Sequence, residues 1–399
     1  MARGERQWVI DVDGNVYLDA LGNFTSLIHG HAHPEIQRAL TQQSAFGTAF
    51  GAPSTVALEL AEAIQARCPS VEQLRFCNSG TEANLYAVRA ARAFTGRSKL
   101  LKMDGAYHGG YDPFRVSVSP TPTGVSPGVG RAEEPGLSPA SINEVLVAPY
   151  NDLESVKLLL AKHGDELAAV VVEPVMSAGG MIVAEPDFIE GLRTATRAAG
   201  VLLIFDEVVT FRLAAGGAQS LLGVTPDLTT FGKLIGGGLP IGAFGGRADV
   251  MSHFDPMRPD RISQSGTFNG NTCAMAAGLV TLSLLTSEEI ARINSLGEKL
   301  RAGLTGILQS AGLHGEAAGI GSLTQVHFVR GPLRNAADTA GAPKWATPLL
   351  HLGLMNRGVL TASRGMLAVS TAMTSDDIDF VLQAADEVIR QIATSFVDE

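Results

Sequence analysis

The spacing of apolar residues along the chain changes several times, and each change marks a different kind of element. Residues 8–20 alternate apolar and polar positions on either side of Asp13-Gly14-Asn15, which predicts a hairpin. From about residue 55 the period becomes helical, with Leu58, Leu60, Ala61 and Ile64 on one face, and a short strand follows at Leu74–Phe76. Ala168–Val172 and Val201–Phe205 are continuously apolar, the pattern of parallel strands buried on both faces, with a helix expected between them around Phe188–Arg193. After residue 285 the pattern is again helical, then strand-like near 323–329 and 366–370, and it closes in an amphipathic helix at 376–395. Residues 117–142 are rich in Pro, Gly and Ser and have no hydrophobic period. A loop of that length in a compact domain is expected to be an active-site cover or a disordered link, and as it interrupts a continuous domain an active-site loop is the expectation.

The alternation predicts an α/β fold: a large domain over 51–284, with a mostly parallel mixed sheet flanked by helices, and a smaller α+β domain built from 1–50 and 285–399. A formal net charge of −10, with no basic run, argues against nucleic acid as a partner. No stretch approaches the roughly 20 apolar residues that span a bilayer, so no membrane partner is expected. The opening residues resemble neither a signal peptide nor a transit sequence, and Cys68, Cys77 and Cys273 form no C-x-x-C pair. A cytoplasmic protein is the expectation.

Three constellations carry candidate chemistry. Phe76–Asn84 reads as a strand end turning through Gly80 into a helix, where free N–H groups, the helix dipole and the hydroxyls of Ser79 and Thr81 would suit a phosphate. Ordinary helix capping is the alternative use of the same residues. Asp206 and Glu207 directly follow the strand Val201–Phe205, the position where ligands bind in open α/β sheets. A carboxylate there could hold a pyridinium nitrogen, worth roughly 5 kcal/mol at about 3 Å and an effective dielectric of about 20; alternatively Glu173, Asp206 and Glu207 could ligate a hard cation. Lys233 sits in an apolar, glycine-rich setting, where desolvation lowers a lysine's pKa and readies it as a nucleophile. A snorkelling surface lysine is the plainer reading.

Taken together these residues resemble the class III, or ω-type, pyridoxal 5'-phosphate (PLP) aminotransferases of fold type I, over about residues 8–390. The resemblance is carried by Gly30-His-Ala-His-Pro34, Asn78-Ser-Gly-Thr-Glu-Ala-Asn84, Gly105-Ala-Tyr-His-Gly109, Val172-Glu-Pro174 and Phe205-Asp-Glu-Val208. Gly232-Lys-Leu-Ile-Gly-Gly-Gly-Leu-Pro240 and Ser265-Gly-Thr-Phe-Asn-Gly-Asn271 add to it. It implies that Ser79, Gly80 and Thr81 bind the phosphate, that Tyr107 and Val208 pack on the two ring faces, and that Asp206 pairs with the ring nitrogen. Lys233 would form the Schiff base, and Thr267 would reach the phosphate of a neighbouring subunit's cofactor, making a homodimer with shared active sites the working unit. From the residues alone, Tyr107 reads equally as a core aromatic, His108 as a satisfied loop histidine and Thr267 as a strand residue.

Within the class the chain is most similar to the β-amino acid (β-phenylalanine type) aminotransferases and the glutamate-1-semialdehyde aminomutases. Val208–Ala214 is one residue shorter than the aminomutase pattern, Ser363-Arg-Gly365 matches the β-amino acid branch, and Ala178 stands where the aminomutases carry a polar residue. The first of these activities is therefore expected, with intramolecular aminomutase chemistry as the alternative and a non-catalytic ligand- or metal-binding protein as a distant third. The resemblance leads one to expect that an N-terminal segment, which in the family usually supplies a substrate-carboxylate arginine, has no counterpart in these residues. Arg364 is the expected substitute and Arg212 the second candidate, each with a structural role as its alternative. If neither serves, amines or amino ketones become the expected substrates.

Overall fold

Seven strands form the central sheet, and the chain threads them so that its most β-branched runs lie in the middle. The computed structural model describes residues 1–121 and 123–396, so Pro122 of the long loop and the last three residues of the C-terminal region lie outside the described residues. The strand order is Gln73–Cys77, Gly242–Gly246, Leu228–Gly232, Leu202–Asp206, Leu167–Val172, Lys99–Met103 and Val145–Ala148. Gly242–Gly246 runs antiparallel to both its neighbours and the other pairings are parallel, giving the mixed, mostly parallel sheet of an α/β fold. Leu167–Val172 and Leu202–Asp206 are buried throughout and pair directly, Phe205 opposite Val172. Helix Pro186–Ala198 crosses between them and buries Phe188, Ile189 and Leu192, the right-sized connection for two parallel neighbours.

The N-terminal hairpin forms with Trp8 opposite Leu18 and Ile10 opposite Val16. Its second strand, Val16–Asp19, pairs in parallel with Val359–Leu360, so both ends of the chain build one small sheet. A second small sheet joins Leu323–His327 to Glu316–Ile320 and Met366–Ala368. Glu316–Ile320 escapes a periodicity reading because its Ala and Gly residues are uniformly half-buried and carry no alternation. Helices Ser287–Ser310, Ala346–Met355 and Ser375–Phe396 complete this part. The largest apolar cluster runs without a break from Leu18 and Val359 through Phe211 and Phe231 to Ile389, so the two parts of the chain share one core.

Residues 117–142, expected to form an active-site loop, pack along one edge of the central sheet. Gly128 donates its N–H to the Val147 carbonyl (2.7 Å), Val116 bridges to Ala132, and Val125 and Ile142 pack on Val116, Val145 and Val147. The segment thus shields the outer edge of Val145–Ala148, an edge that would otherwise present unpaired backbone groups. Among the described residues none of it lines the cavity described below. Its composition identifies a loop; what the loop covers depends on which strand ends the sheet. No single helix among the described residues is long and apolar enough to cross a membrane.

Candidate active site

The carboxyl ends of the central strands open on a cavity of about 680 Å³, the place where open α/β sheets bind ligands. Ser79, Gly80, Thr81, Tyr107, Asp206, Val208, Lys233 and Arg364 all line it. Of the expected site residues, Arg212 and Thr267 do not.

The turn after Gln73–Cys77 starts helix Gly80–Thr95, with Ser79 extended at the N-cap and its Oγ accepting from the Glu82 N–H (3.1 Å). Glu82 Oε2 in return accepts from the Asn78 N–H (2.9 Å). Capping is therefore real, and it is compatible with an anion site because the first N–H groups of a helix have no partner within it. The turn lies against Gly242, where a Cβ would come within 2.0 Å of the Ser79 carbonyl oxygen, so only glycine admits it there. The Gly110 N–H donates to Thr81 Oγ1 (3.1 Å), tying the loop that carries Tyr107 to the same helix start.

Asp206 ends its strand buried, and its two oxygens are treated differently. Oδ2 accepts from Asn84 Nδ2 (2.8 Å) and contacts His108 Nδ1 (2.9 Å), while Oδ1 accepts only the Val208 N–H (3.1 Å). Asn84 is itself oriented by Thr230 Oγ1, which donates to its Oδ1 (2.8 Å). A carboxylate only accepts, so His108 carries its proton on Nδ1; its Nε2 is buried without a partner. Asn84 and His108 are the site residues that sequence reasoning missed. Their partner lies far along the chain, and the one local signal was that His108 adjoins Tyr107.

The two neighbouring glutamates both hold backbone in place, and Glu173 also lines the cavity. Glu207 is fully buried and accepts from the Ala218 N–H (2.7 Å), the Gln219 N–H (2.8 Å) and Thr210 Oγ1 (2.9 Å), capping helix Gly217–Leu222. Burial pushes its carboxyl above the ordinary range, against these hydrogen bonds. Glu173 accepts from the Tyr107 N–H (3.0 Å) and the Ser177 N–H (3.1 Å), fixing the loop that holds Tyr107 on the cavity wall. The cation-ligand alternative for Glu173, Asp206 and Glu207 finds no support: Glu207 is directed at a helix start, and among the described residues no three potential ligands converge.

Lys233 follows the strand Leu228–Gly232 with φ +52°, a left-handed conformation that costs a non-glycine residue about 1–3 kcal/mol and that clusters at functional positions. Burial pushes its pKa down to about 8, with Glu173 and Asp206 pulling the other way. A neutral amine is needed to attack an aldehyde, so covalent capture of PLP by the apoprotein is expected to accelerate as pH rises through about 8 and to level off above it. Stopped-flow absorbance across pH 6–11 checks this, and an acceleration confined to pH above 10 would contradict it.

Arg364 reaches the cavity wall from the turn after Val359–Leu360. Among the described residues its Nε is buried without a hydrogen-bond partner, and Nη2 meets only the Met366 sulfur (3.2 Å), a weak acceptor. Arg212 is a correction. It is fully buried, its Nε donating to Ser322 Oγ (2.9 Å) and its Nη2 to the Val369 carbonyl, so it ties the large sheet to the small one instead of facing a substrate. Thr267 lies in an exposed turn beside Phe268, which is 61% exposed, and not in a strand.

A helix start that can hold a phosphate, a carboxylate with one lightly used oxygen, and a lysine of lowered pKa surround one cavity. That donor set fits PLP, which bears a phosphate, a ring nitrogen and an aldehyde. Comparison with known proteins agrees. The ω-transaminase of Sphaerobacter thermophilus is 42% identical, with a TM-score of 0.95 over 98% of this chain and 91% of that one. The β-phenylalanine aminotransferase of Variovorax paradoxus is 40% identical, with a TM-score of 0.89 over 97% and 86%. A glutamate-1-semialdehyde aminomutase of Pseudomonas aeruginosa, solved with pyridoxamine phosphate, is 26% identical, with a TM-score of 0.88 over 97% and 86%. The family model for class-III aminotransferases matches residues 1–389. From fold, site and match together, this chain belongs to the class-III aminotransferases and is a PLP-dependent enzyme of that family.

Proposed function

We propose that this aminotransferase takes a β-amino acid as its donor, reads the donor's carboxylate with Arg364, and passes the nitrogen to a keto acid or other carbonyl acceptor in a ping-pong cycle. The carrying observation is the Arg364 guanidinium on the cavity wall, with its Nε buried and without a hydrogen-bond partner among the described residues, although Glu173 lines the same cavity. Such a group is a ready partner for the paired oxygens of a substrate carboxylate. The greater likeness to a β-phenylalanine aminotransferase than to an aminomutase supports the same reading, as does Ala178 on the cavity wall.

PLP, when bound, would supply an electron sink for loss of a proton from the amine-bearing carbon, which in a β-amino acid is the β-carbon. The chain's residues supply the rest. Ser79, Gly80 and Thr81 would hold the phosphate at the helix start, Tyr107 and Val208 would pack on the ring, and Asp206 would keep the proton on the ring nitrogen. Lys233 would anchor the cofactor and, with its amine free, would move the proton at the amine-bearing carbon of the substrate, a role suited to a pKa near 8. The exposed turn with Thr267 and Phe268 is assigned to the phosphate end of a second copy's cofactor, in a homodimer with shared sites. The free thiols Cys68, Cys77 and Cys273 suit a cytoplasmic setting.

The test uses holoenzyme without any carbonyl acceptor. Addition of β-phenylalanine is expected to convert the visible cofactor band to that of the pyridoxamine form, whereas a matched amine lacking the carboxylate requires much higher concentration. Equal response to both would remove the β-amino acid assignment. Retention of isotopic nitrogen within a single rearranged product would point to aminomutase chemistry instead.

A further inference from the structure

Residues 22–25 form one turn of left-handed helix. Gly22, Asn23, Phe24 and Thr25 have φ of +57°, +48°, +52° and +78°, and the Thr25 N–H reaches the Leu21 carbonyl (3.1 Å) while that of Leu27 reaches Gly22 (3.0 Å). Consecutive L-residues avoid this conformation because Cβ crowds the following carbonyl, and β-branched Thr25 is the least suited of the three. The turn is held from outside. Asp19 Oδ1 accepts the N–H groups of Leu21 (3.0 Å) and Gly22 (2.9 Å), Asp19 Oδ2 lies 2.7 Å from His31 Nε2, and Thr25 is 1% exposed.

Strain kept in place by so many contacts marks a position with a task. Here it delivers Asn23 and Phe24 to the cavity wall and sets the Phe24 ring 5.6 Å from Arg364 Cζ. The meeting follows from topology. Val16–Asp19 and Val359–Leu360 run parallel with Asp19 opposite Leu360, so the segments bearing Phe24 and Arg364 leave the small sheet side by side. Arg364 has little else to orient it, since Nε lacks a partner and Nη2 has only a sulfur.

We infer that the left-handed turn is a device for substrate selection: it fixes Phe24 against the Arg364 guanidinium, and Phe24 is thereby a positioning residue for donors that carry a carboxylate. An aromatic ring attracts the cation without offering an acceptor that would compete with the carboxylate. Holding the long arginine side chain in advance spares the substrate the cost of ordering it. The inference rests on Arg364 as the carboxylate reader.

Steady-state kinetics of the holoenzyme with β-phenylalanine and with 1-phenylethylamine test it in wild type, Arg364→Ala, Phe24→Leu and Phe24→Tyr. Phe24→Leu is expected to raise KM for β-phenylalanine about tenfold with kcat within about twofold, and to leave the amine unaffected, while Phe24→Tyr restores wild-type KM. If Arg364→Ala leaves KM for β-phenylalanine unchanged, the carboxylate reading falls and takes this inference with it. If Arg364→Ala raises that KM but Phe24→Leu does not, or raises it equally for both donors, the positioning role alone is overturned.

Discussion

Lys233→Ala is expected to fold and to lose turnover by about 10⁴-fold or more, because it removes both the covalent anchor of the cofactor and a general base worth about 10²–10⁴ by itself. Folding should survive, since no hydrogen bond of the scaffold depends on the lysine's amine among the described residues and its burial is a cost to the folded state. The sign of that cost is fixed by the direction of the shift. A lysine whose pKa falls from 10.5 to about 8 on folding binds its proton more readily in the unfolded chain, so it destabilises the apoprotein fully below pH 8 and not at all above about 10.5. The alanine apoprotein should therefore match or exceed wild type in thermal stability at pH 7, with the difference shrinking as pH rises. Rates and melting curves on the same preparation check both halves, and activity near wild type would remove Lys233 from the mechanism.

Asp206→Asn is expected to lower kcat by about 10³-fold or more while KM changes little. The network around the residue dictates this. Asn84 Nδ2 and His108 Nδ1 both present protons to one side of the carboxylate, so an asparagine must turn its carbonyl oxygen toward them. Its amide NH₂ then occupies the place of Oδ1, beside the Val208 N–H, and offers the cofactor's ring nitrogen a donor where the carboxylate offered an acceptor. A loss of negative charge and a reversed hydrogen bond act in the same direction. Single-turnover rates followed at the cofactor band measure the effect, and an unshifted rate would mean that another group controls the ring nitrogen.

What the sequence made legible follows from how local each signal is. Asp206 and Lys233 could be found because each is a charged residue set against a β-branched or glycine-rich run, and the turn at Ser79–Thr81 because strand, glycine and polar helix start are contiguous. Tyr107, Val208 and Thr267 entered through family likeness alone, since an aromatic, a valine and a threonine carry no chemistry in isolation. Contacts made across the fold stayed hidden. His108 and Asn84 meet Asp206 from two different elements, and the left-handed turn at 22–25 is imposed by Asp19 and His31 against the preference of its own residues. Arg212 illustrates the opposite error: an arginine just past the catalytic strand looks like a ligand, but a short 3₁₀ turn, Thr210–Arg212, sends it into the core toward Ser322 and Val369.

The pairing of Val16–Asp19 with Val359–Leu360 also bears on how the molecule comes to exist. A ribosome adds about 5–20 residues per second, so the N-terminal hairpin waits on the order of tens of seconds for the strand that completes its sheet. Through that interval Leu18 lacks the later members of its apolar cluster, Val359, Val381 and Ile389, although earlier ones such as Leu60, Phe211 and Phe231 are already made. The small sheet is therefore among the later parts of the fold to close, and a chain interrupted before residue 359 lacks the strand that completes it.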